Sequence, residues 1–426
     1  MHPTATAPPD LVIRGAHVFD GRAALPGLYN VAVSGTDVSA VSAVSAASAR
    51  PPRGVREVDA AGGWVVPGLI DTHVHLYDVA AVTDEASLRA FERDRLPGLL
   101  GRFPRYGVTT VRSVGDPAEA VLGTRARIAA GTVPGPRLLA TGPGITGRDG
   151  HPAATVLRRN PWARARFAAE VDGVREMRDL VHRLADQGVD AVKLLSEGAC
   201  AHGDAPGYVW RVPPFPDAVP LVRLPRDLLR AGVEAGHERG LRVTVHTTQQ
   251  AAAREAVEAG TDGLEHGVTV EPLTDDGLVT LLRDRGVTYV PTLWAHDANH
   301  PHLRGNVRKL AAAGVHVALG SDSFTGHGTF GANTLEEAAL MVAAGMTPTQ
   351  SLAAGTSGAA RQLGRPDLGA VAPGKCADLL LLGADPTTDI GNLRELRLTV
   401  LDGGIVTGER ASTGHPTSRR PPTGRP

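Results

Sequence analysis

Cysteine is almost missing from this chain: its 426 residues contain two, Cys200 and Cys376. Two thiols cannot build a disulfide framework, which points to a reducing compartment and excludes a small cross-linked secreted scaffold. An excess of one charge is missing too. Lys and Arg number 44 against 45 Asp and Glu, a formal net charge of −1, and the basic residues are scattered along the chain. Such a balance gives no electrostatic hold on nucleic acid or on an anionic membrane. No apolar run approaches the roughly 20 residues that a bilayer span requires. The start, Met1-His2-Pro3-Thr4-Ala5, has no basic segment leading into an apolar one, so no signal peptide is expected. A nucleotide phosphate loop is lacking as well, since Gly142-Pro143-Gly144 has no lysine in the place the motif needs. The expectation is a soluble, cytoplasmic protein acting on a small molecule, with homo-oligomerisation left open.

What is present is a globular composition, 42% apolar and 21% charged, over a length that suits a large barrel plus a smaller domain. Both ends are β-rich. Near the start, Leu11-Val12-Ile13, Val31-Ala32-Val33 and Val38 to Val44 are separated by turn signals such as Ser34-Gly35-Thr36. Near the end, Ala377 to Leu382 and Leu396 to Val406 flank a tight turn at Asp402-Gly403-Gly404. Neither end buries much by itself, so the two are expected to meet in one composite domain, residues 8–62 with 366–410, around a central body at 63–365. Residues 411–426 are Pro, Arg, Ser, Thr and Gly with almost nothing apolar and read as a disordered tail.

The central body repeats one grammar: amphipathic helix, glycine, short apolar strand. Arg175 to Gln187 puts Met177, Leu180, Val181 and Leu184 on one face and stops at Gly188, before Val189 to Leu194. A helix opening at Pro225 and ending at Gly240 precedes Leu241 to His246. The pattern recurs with Thr261 to His266, Val287 to Thr292 and Val315 to Asp322, and earlier with Val108 to Arg112 and Arg137 to Thr141. With the apolar run Trp64 to Ile70 that makes eight strands. Such alternation means parallel strands, in a (β/α)8 barrel or an open doubly wound sheet.

Unusual residues stand at the predicted strand ends: His73 and His75 after the first, then Lys193, His246, His266 and Asp322. Alternate residues of an extended chain share a side, so His73 and His75 aim two imidazoles at one point, with Asp71 on the same face. A lone strand-end histidine is usually an ordinary polar residue. Four around one barrel mouth point to a metal site. Lys193 has two readings: an ion pair with Asp71 or Asp322, or a carbamate formed with carbon dioxide that bridges two cations. Asp322 fits as ligand and proton shuttle.

These stretches resemble the amidohydrolase superfamily, and within it the imidazolonepropionase-like and Xaa-Pro dipeptidase (prolidase-like) enzymes. The matching segments are Pro67 to Leu76, Ala191 to Glu197, Val245 to Thr247, Leu264 to Gly267, Gly320 to Ser323 and Pro373 to Leu379, in the family's order. The resemblance implies a metal-dependent (β/α)8 TIM barrel with a small β-sandwich built from both termini. It implies that His73, His75 and Asp322 hold a buried metal, that His246 and His266 hold a more exposed one, and that carbamylated Lys193 bridges them. Zinc, two ions per chain, is the default for such donors and a hydrolytic task. A hydroxide between the metals would attack a carbonyl polarised by the exposed ion, with Asp322 moving the proton to the leaving amine; Asp322, Lys193 and His246 are the catalytic candidates. Thr247-Thr248 follows His246 where prolidase-like members carry a carboxylate-holding Tyr, a departure that weakens the dipeptidase reading.

Candidate substrate contacts lie on loops. His151, which resembles a substrate-loop histidine of relatives, and Arg158, in the basic run Arg158-Arg159-Asn160-Pro161-Trp162, belong to the extended segment Gly142 to Asp172. His296, with His300 and His302, follows strand seven and reads as substrate contact ahead of a separate metal site; His327 follows strand eight. The activity expected is hydrolysis of an amide or cyclic amide C–N bond in a small molecule such as a dipeptide, an N-acyl amino acid or a lactam-like ring. The alternatives are a mononuclear imidazolonepropionase-like ring opener, a deaminase or an amide-forming cyclase with Lys193 unmodified, and, from another class, a non-catalytic scaffold.

Overall fold

The computed structural model describes residues 9–45, 54–197, 223–325 and 329–406, so His327, Cys200 and the expected tail at 411–426 lie outside the described residues. In chain order the strands are β1 (Leu11–Val18), β2 (Tyr29–Ser34), β3 (Asp37–Ala43), β4 (Arg56–Asp59), β5 (Trp64–Pro67), β6 (Leu69–His75), β7 (Val108–Ser113), β8 (Arg137–Ala140), β9 (Gly144–Gly147), β10 (Ala168–Val171), β11 (Ala191–Leu195), β12 (Arg242–His246), β13 (Gly263–Glu265), β14 (Thr288–Val290), β15 (Ser323–Phe324), β16 (Leu379–Leu382), β17 (Leu396–Leu401) and β18 (Gly404–Val406). Helices fill most of the intervals from β6 onward, giving an α/β architecture.

The two ends of the chain do meet. One sheet runs β18-β17-β16-β5-β1-β2-β3, with β4 beside β1. The turn at Asp402-Gly403 joins β17 to β18, and both residues take positive φ (48° and 75°), as a two-residue hairpin requires. β16 is continuously apolar because it serves two cores. Leu379 and Leu381 pack with Leu11, Ile13, Val31 and Val65 in the terminal sheet, while Leu380 and Leu382 face the opposite way into the central core.

The run Trp64 to Ile70, expected as one strand, is two. Gly68 divides it: β5 pairs with β1 and β16, whereas β6 pairs with β7 in a different sheet. A Cβ on Gly68 would lie 2.1 Å from Thr109 Oγ1, so only glycine passes at this crossing.

The remaining strands form two parallel sheets, β10-β9-β11-β12-β13-β14 and β15-β6-β7-β8. Backbone bonds connect them on both flanks. Asp190 N donates to Ala140 O (2.8 Å) at the β8–β11 side; at the other, Tyr289 N donates to His316 O (2.8 Å) and Thr72 N to Leu319 O (3.0 Å). The expected eighth strand, Val315 to Asp322, is not a regular strand. Its Val317 makes one bridge to Tyr289, and ladder pairing with β6 starts only at Ser323. The cause is local: Ala354 O and Gly355 O accept from Leu319 N and Ile70 N, so a helix C-terminus is wedged where the ladder would begin. The segment Gly142 to Asp172, expected as a loop, carries β9, β10 and the helix Pro161–Phe167 and extends the sheet beside β11.

Helix signals were plain. The helix Val174–Gln187 buries Met177, Val181 and Leu184 and ends at Gly188, whose φ of 89° is the left-handed cap its pattern calls for.

Candidate metal centre

β6 ends in His73 and His75, and β12 ends in His246. His266 directly follows β13, Thr292 stands two residues past β14, and Asp322 directly precedes β15. All three take left-handed backbone, with φ of 63°, 53° and 50°. Non-glycine residues avoid this region, and three around one point mark a place where backbone strain is held for side-chain aim.

The side chains converge on Asp322. Its Oδ1 lies 3.3 Å from His73 Nε2 and 3.1 Å from His75 Nε2; its Oδ2 lies 3.1 Å from His296 Nε2. Ring centroids connect the rest, 4.9 Å from His73 to His266 and 4.5 Å from His266 to His246. Two sets of three among the described residues bring ligand atoms close enough for one cation: His73, His75 and Asp322, and His266, His296 and Asp322.

Each fully enclosed histidine has one ring nitrogen occupied from outside. His73 Nδ1 meets Glu265 Oε2 at 2.7 Å, His246 Nε2 meets Glu197 Oε2 at 3.0 Å, and His266 Nδ1 meets Thr292 Oγ1 at 2.8 Å. Such partners hold the ring and its tautomer, leaving the other nitrogen for a metal. Glu265 is itself anchored by buried Arg112 (2.6 Å) and by Thr244 Oγ1, while Arg112 also donates to Thr72 O. Burial works against the Glu265 charge, but Arg112, Lys193 and His73 hold its carboxylate well below the usual range.

Lys193 Nζ is buried with no hydrogen-bond partner among the described residues, the orphaned group one expects where a further ligand belongs. Burial lowers its pKa to about 8 against the pull of Glu265. Burial likewise raises the cost of charging Asp322, but His73 and the hydrogen bonds from His296, His73 and His75 hold it well below the carboxylate range. His246 and His266 are both lowered by burial, so they are neutral donors. A nitrogen-rich donor set with one carboxylate, neutral imidazoles and an orphaned amine fits a divalent ion.

Asp71 does not join the cluster. It turns to Ser321 N (2.9 Å), Ser321 Oγ (2.6 Å) and Thr334 Oγ1 (2.7 Å), pinning the middle of β6 to the segment that carries Asp322. That arrangement also leaves Lys193 without the ion pair to Asp71 that the sequence allowed. His151 does join: buried, bonded to Thr155 Oγ1, and stacked on His246 with centroids 4.9 Å apart. Arg158 is exposed and is not brought into the cluster, and the nearby Trp162 ring is covered by Arg166. His296 sits not on a loop but at the end of the short helix Leu293–His296, whose first amides, Leu293 N and Trp294 N, donate to buried Glu337. His300 is buried with its ring 5.7 Å from His296, while His302 is exposed.

The amidohydrolase family pattern matches residues 64–406. The chain belongs to the amidohydrolase family. It is a hydrolase of a family that is generally metal-dependent. Among curated proteins it is 31% identical over 360 residues to imidazolonepropionase of Anaeromyxobacter sp. (strain K), covering 78% of each chain. Among solved structures it is similar to molinate hydrolase (TM-score 0.76, 22% identity, 94% of this chain and 95% of that one). It is also similar to a Xaa-Pro dipeptidase with bound methionine (TM-score 0.73, 24% identity, 93% and 100%). These likenesses make the fold of this amidohydrolase TIM-barrel-like. Sequence reading missed Glu197, Arg112, Thr292 and Glu337 as supports. Glu265 alone left a signal, a charged residue at an inward strand position beside His266.

Proposed function

We propose that this amidohydrolase cleaves an amide or cyclic amide C–N bond of a small molecule, using two divalent ions, zinc by donor type. The observation that carries the reading is Asp322 set between His73 and His75 while the outer nitrogens of His73, His246 and His266 are each held by a buried partner. In this reading the body at 63–365 is a closed (β/α)8 barrel in which the extended segment 315–320 takes the eighth place, and residues 8–62 and 366–410 form a β-sandwich beside it. His73, His75 and Asp322 hold the buried ion; His246 and His266 hold the exposed one. Lys193, whose amine has no partner among the described residues, would as a carbamate supply the further carboxylate ligand.

A divalent ion bound there supplies Lewis acidity toward water and toward the scissile carbonyl. The chain's own groups do the rest. Asp322 accepts the proton of the attacking water and returns it to the leaving nitrogen. His151, stacked over His246, borders the carbonyl's position, and the buried strand ends keep bulk water out. The runner-up is a mononuclear centre at His73, His75 and Asp322, favoured by that set being complete without Lys193 and by the likeness to an imidazolonepropionase. A scaffold without chemistry is disfavoured by the filled ligand positions.

The test is chelation followed by metal readdition, together with His246→Ala. Activity on a panel of N-acyl amino acids, dipeptides and lactams should vanish on chelation and return with zinc, and His246→Ala should stay folded while losing metal. Full activity after exhaustive chelation would sink the reading, and one ion per wild-type chain would select the mononuclear form.

A further inference from the structure

We propose that Asp116 is a positioning residue for His75, setting that ligand through its backbone rather than through its ring. The inference rests on the metal reading above, in its binuclear or its mononuclear form, since His75 belongs to both. His73, His246 and His266 each have an outer nitrogen held by a buried partner. His75 differs. It is part-exposed, and among the described residues the polar partner of its ring is Asp322 Oδ1 at 3.1 Å. Its aim must come from the chain that carries it. The β6–β7 ladder does not supply this by itself, because its register shifts between Asp71 and Val74. The turn after β7 does. Before His75, Val114 N donates to Val74 O (3.0 Å). Beyond it, Leu76 N (2.8 Å) and Tyr77 N (3.3 Å) donate to the two carboxyl oxygens of Asp116.

Asp116 is itself fixed. It is 1% exposed, and Ser113 Oγ, at the end of β7, donates at 2.5 Å to the oxygen that also takes Leu76 N. Between the two, Gly115 has a φ of 82° and donates to Gly142 O (3.1 Å) and Thr141 Oγ1 (3.2 Å), which anchors the turn to the chain after β8. A Cβ on Gly115 would stand 3.6 Å from His75 Cε1, so the same turn borders the imidazole. Among the described residues Asp116 enters no ion pair, and two of its three donors are the amides that directly follow His75. A ligand set works when its members are held to within about 0.5 Å. Here the backbone on both sides of a ligand whose ring has little other support is tied to one turn.

The experiment measures zinc affinity of the full chain by competition with chelators, for wild type, Asp116→Asn and Asp116→Ala. Circular dichroism checks that each is folded, and cobalt-substituted protein reports the coordination by its visible bands. Asp116→Ala should weaken the ion that His75 ligates by about 10–100-fold and shift the cobalt bands. Asp116→Asn keeps one oxygen for Leu76 N and Ser113 Oγ but loses the acceptor for Tyr77 N, so it should fall between Ala and wild type. Wild-type affinity in both variants overturns the proposal. Weaker binding with unshifted cobalt bands also overturns it, because a merely structural carboxyl would lower occupancy without altering coordination. Should Asp116→Ala not fold, Asp116→Asn decides, and wild-type affinity with unshifted bands there overturns the proposal. Wild type that takes up no zinc would bring down the metal reading and this inference together; zinc held alike by all three proteins brings down this inference alone.

Discussion

Glu265 joins the buried charge of Arg112 to the ring of His73, and neither partner has water to fall back on. Removing one half of a buried ion pair leaves the other uncompensated, at a cost of about 3–5 kcal/mol. Glu265→Ala should therefore lower the unfolding free energy by that order in chelator, read by urea denaturation. Glu265→Gln, which keeps the shape, should mainly weaken metal binding, by about 10–100-fold, because His73 loses the carboxylate that orients it. Equal metal affinity in Glu265→Gln and wild type would remove Glu265 from the metal's support. At this scale the sequence was legible where chemistry is carried by residue type. His73, His75, His246, His266 and Asp322 could be named, whereas Asp71 could not be told from a ligand. Its direction depends on Ser321 and Thr334, some 250 residues away along the chain.

The short helix Leu293–His296 was invisible as an element, because four residues have too little periodicity to register and Thr292 enters it from left-handed backbone. Glu337 makes it stand. Burial pushes this carboxyl up to about 8, with Asp71 and Asp297 adding to the push and the two helix amides opposing it. The native state thus binds a proton that the unfolded chain releases near pH 4.5. Stability from this group is full below about pH 4.5 and declines as pH rises toward 8, by up to about 1.4 kcal/mol per unit. The expected result is a downward slope of unfolding free energy from pH 5 to 8 in wild type that is flatter in Glu337→Gln. Parallel pH profiles for the two proteins would show that Glu337 is ionised throughout. The longer helices behaved differently: Val174–Gln187 was readable to within a residue, since its apolar stripe and its terminal glycine are local.

For the whole molecule, the terminal sheet and the central body share two strands. β16 puts alternate leucines into each core, and β5 does the same with Val65 and Val66. The candidate metal centre draws on β6, β12 and the segments after β13 and near 322, which are far apart in sequence. A ligand that binds only the folded chain stabilises it by mass action, about 4 kcal/mol at a thousand times its dissociation constant. Zinc-loaded protein should accordingly unfold at a clearly higher urea midpoint than the chelated form; coincident curves would show that no ion spans these elements. Among the described residues no helix is long and apolar enough to cross a membrane.

Local pattern by itself determined the helix-glycine-strand grammar, the β-rich character of both ends, and the histidines and aspartate near strand ends. Each of these follows from spacing along the chain. Lys193, expected at a strand end, lies mid-strand in β11. The tertiary structure decided what depends on distant neighbours. It split Trp64 to Ile70 at Gly68, because the backbone there must pass Thr109. It turned Asp71 away from the centre and brought His296 onto Asp322. It also supplied the buried partners that set each ring, and pairing between distant strands is a property of the tertiary fold that no run of residues carries.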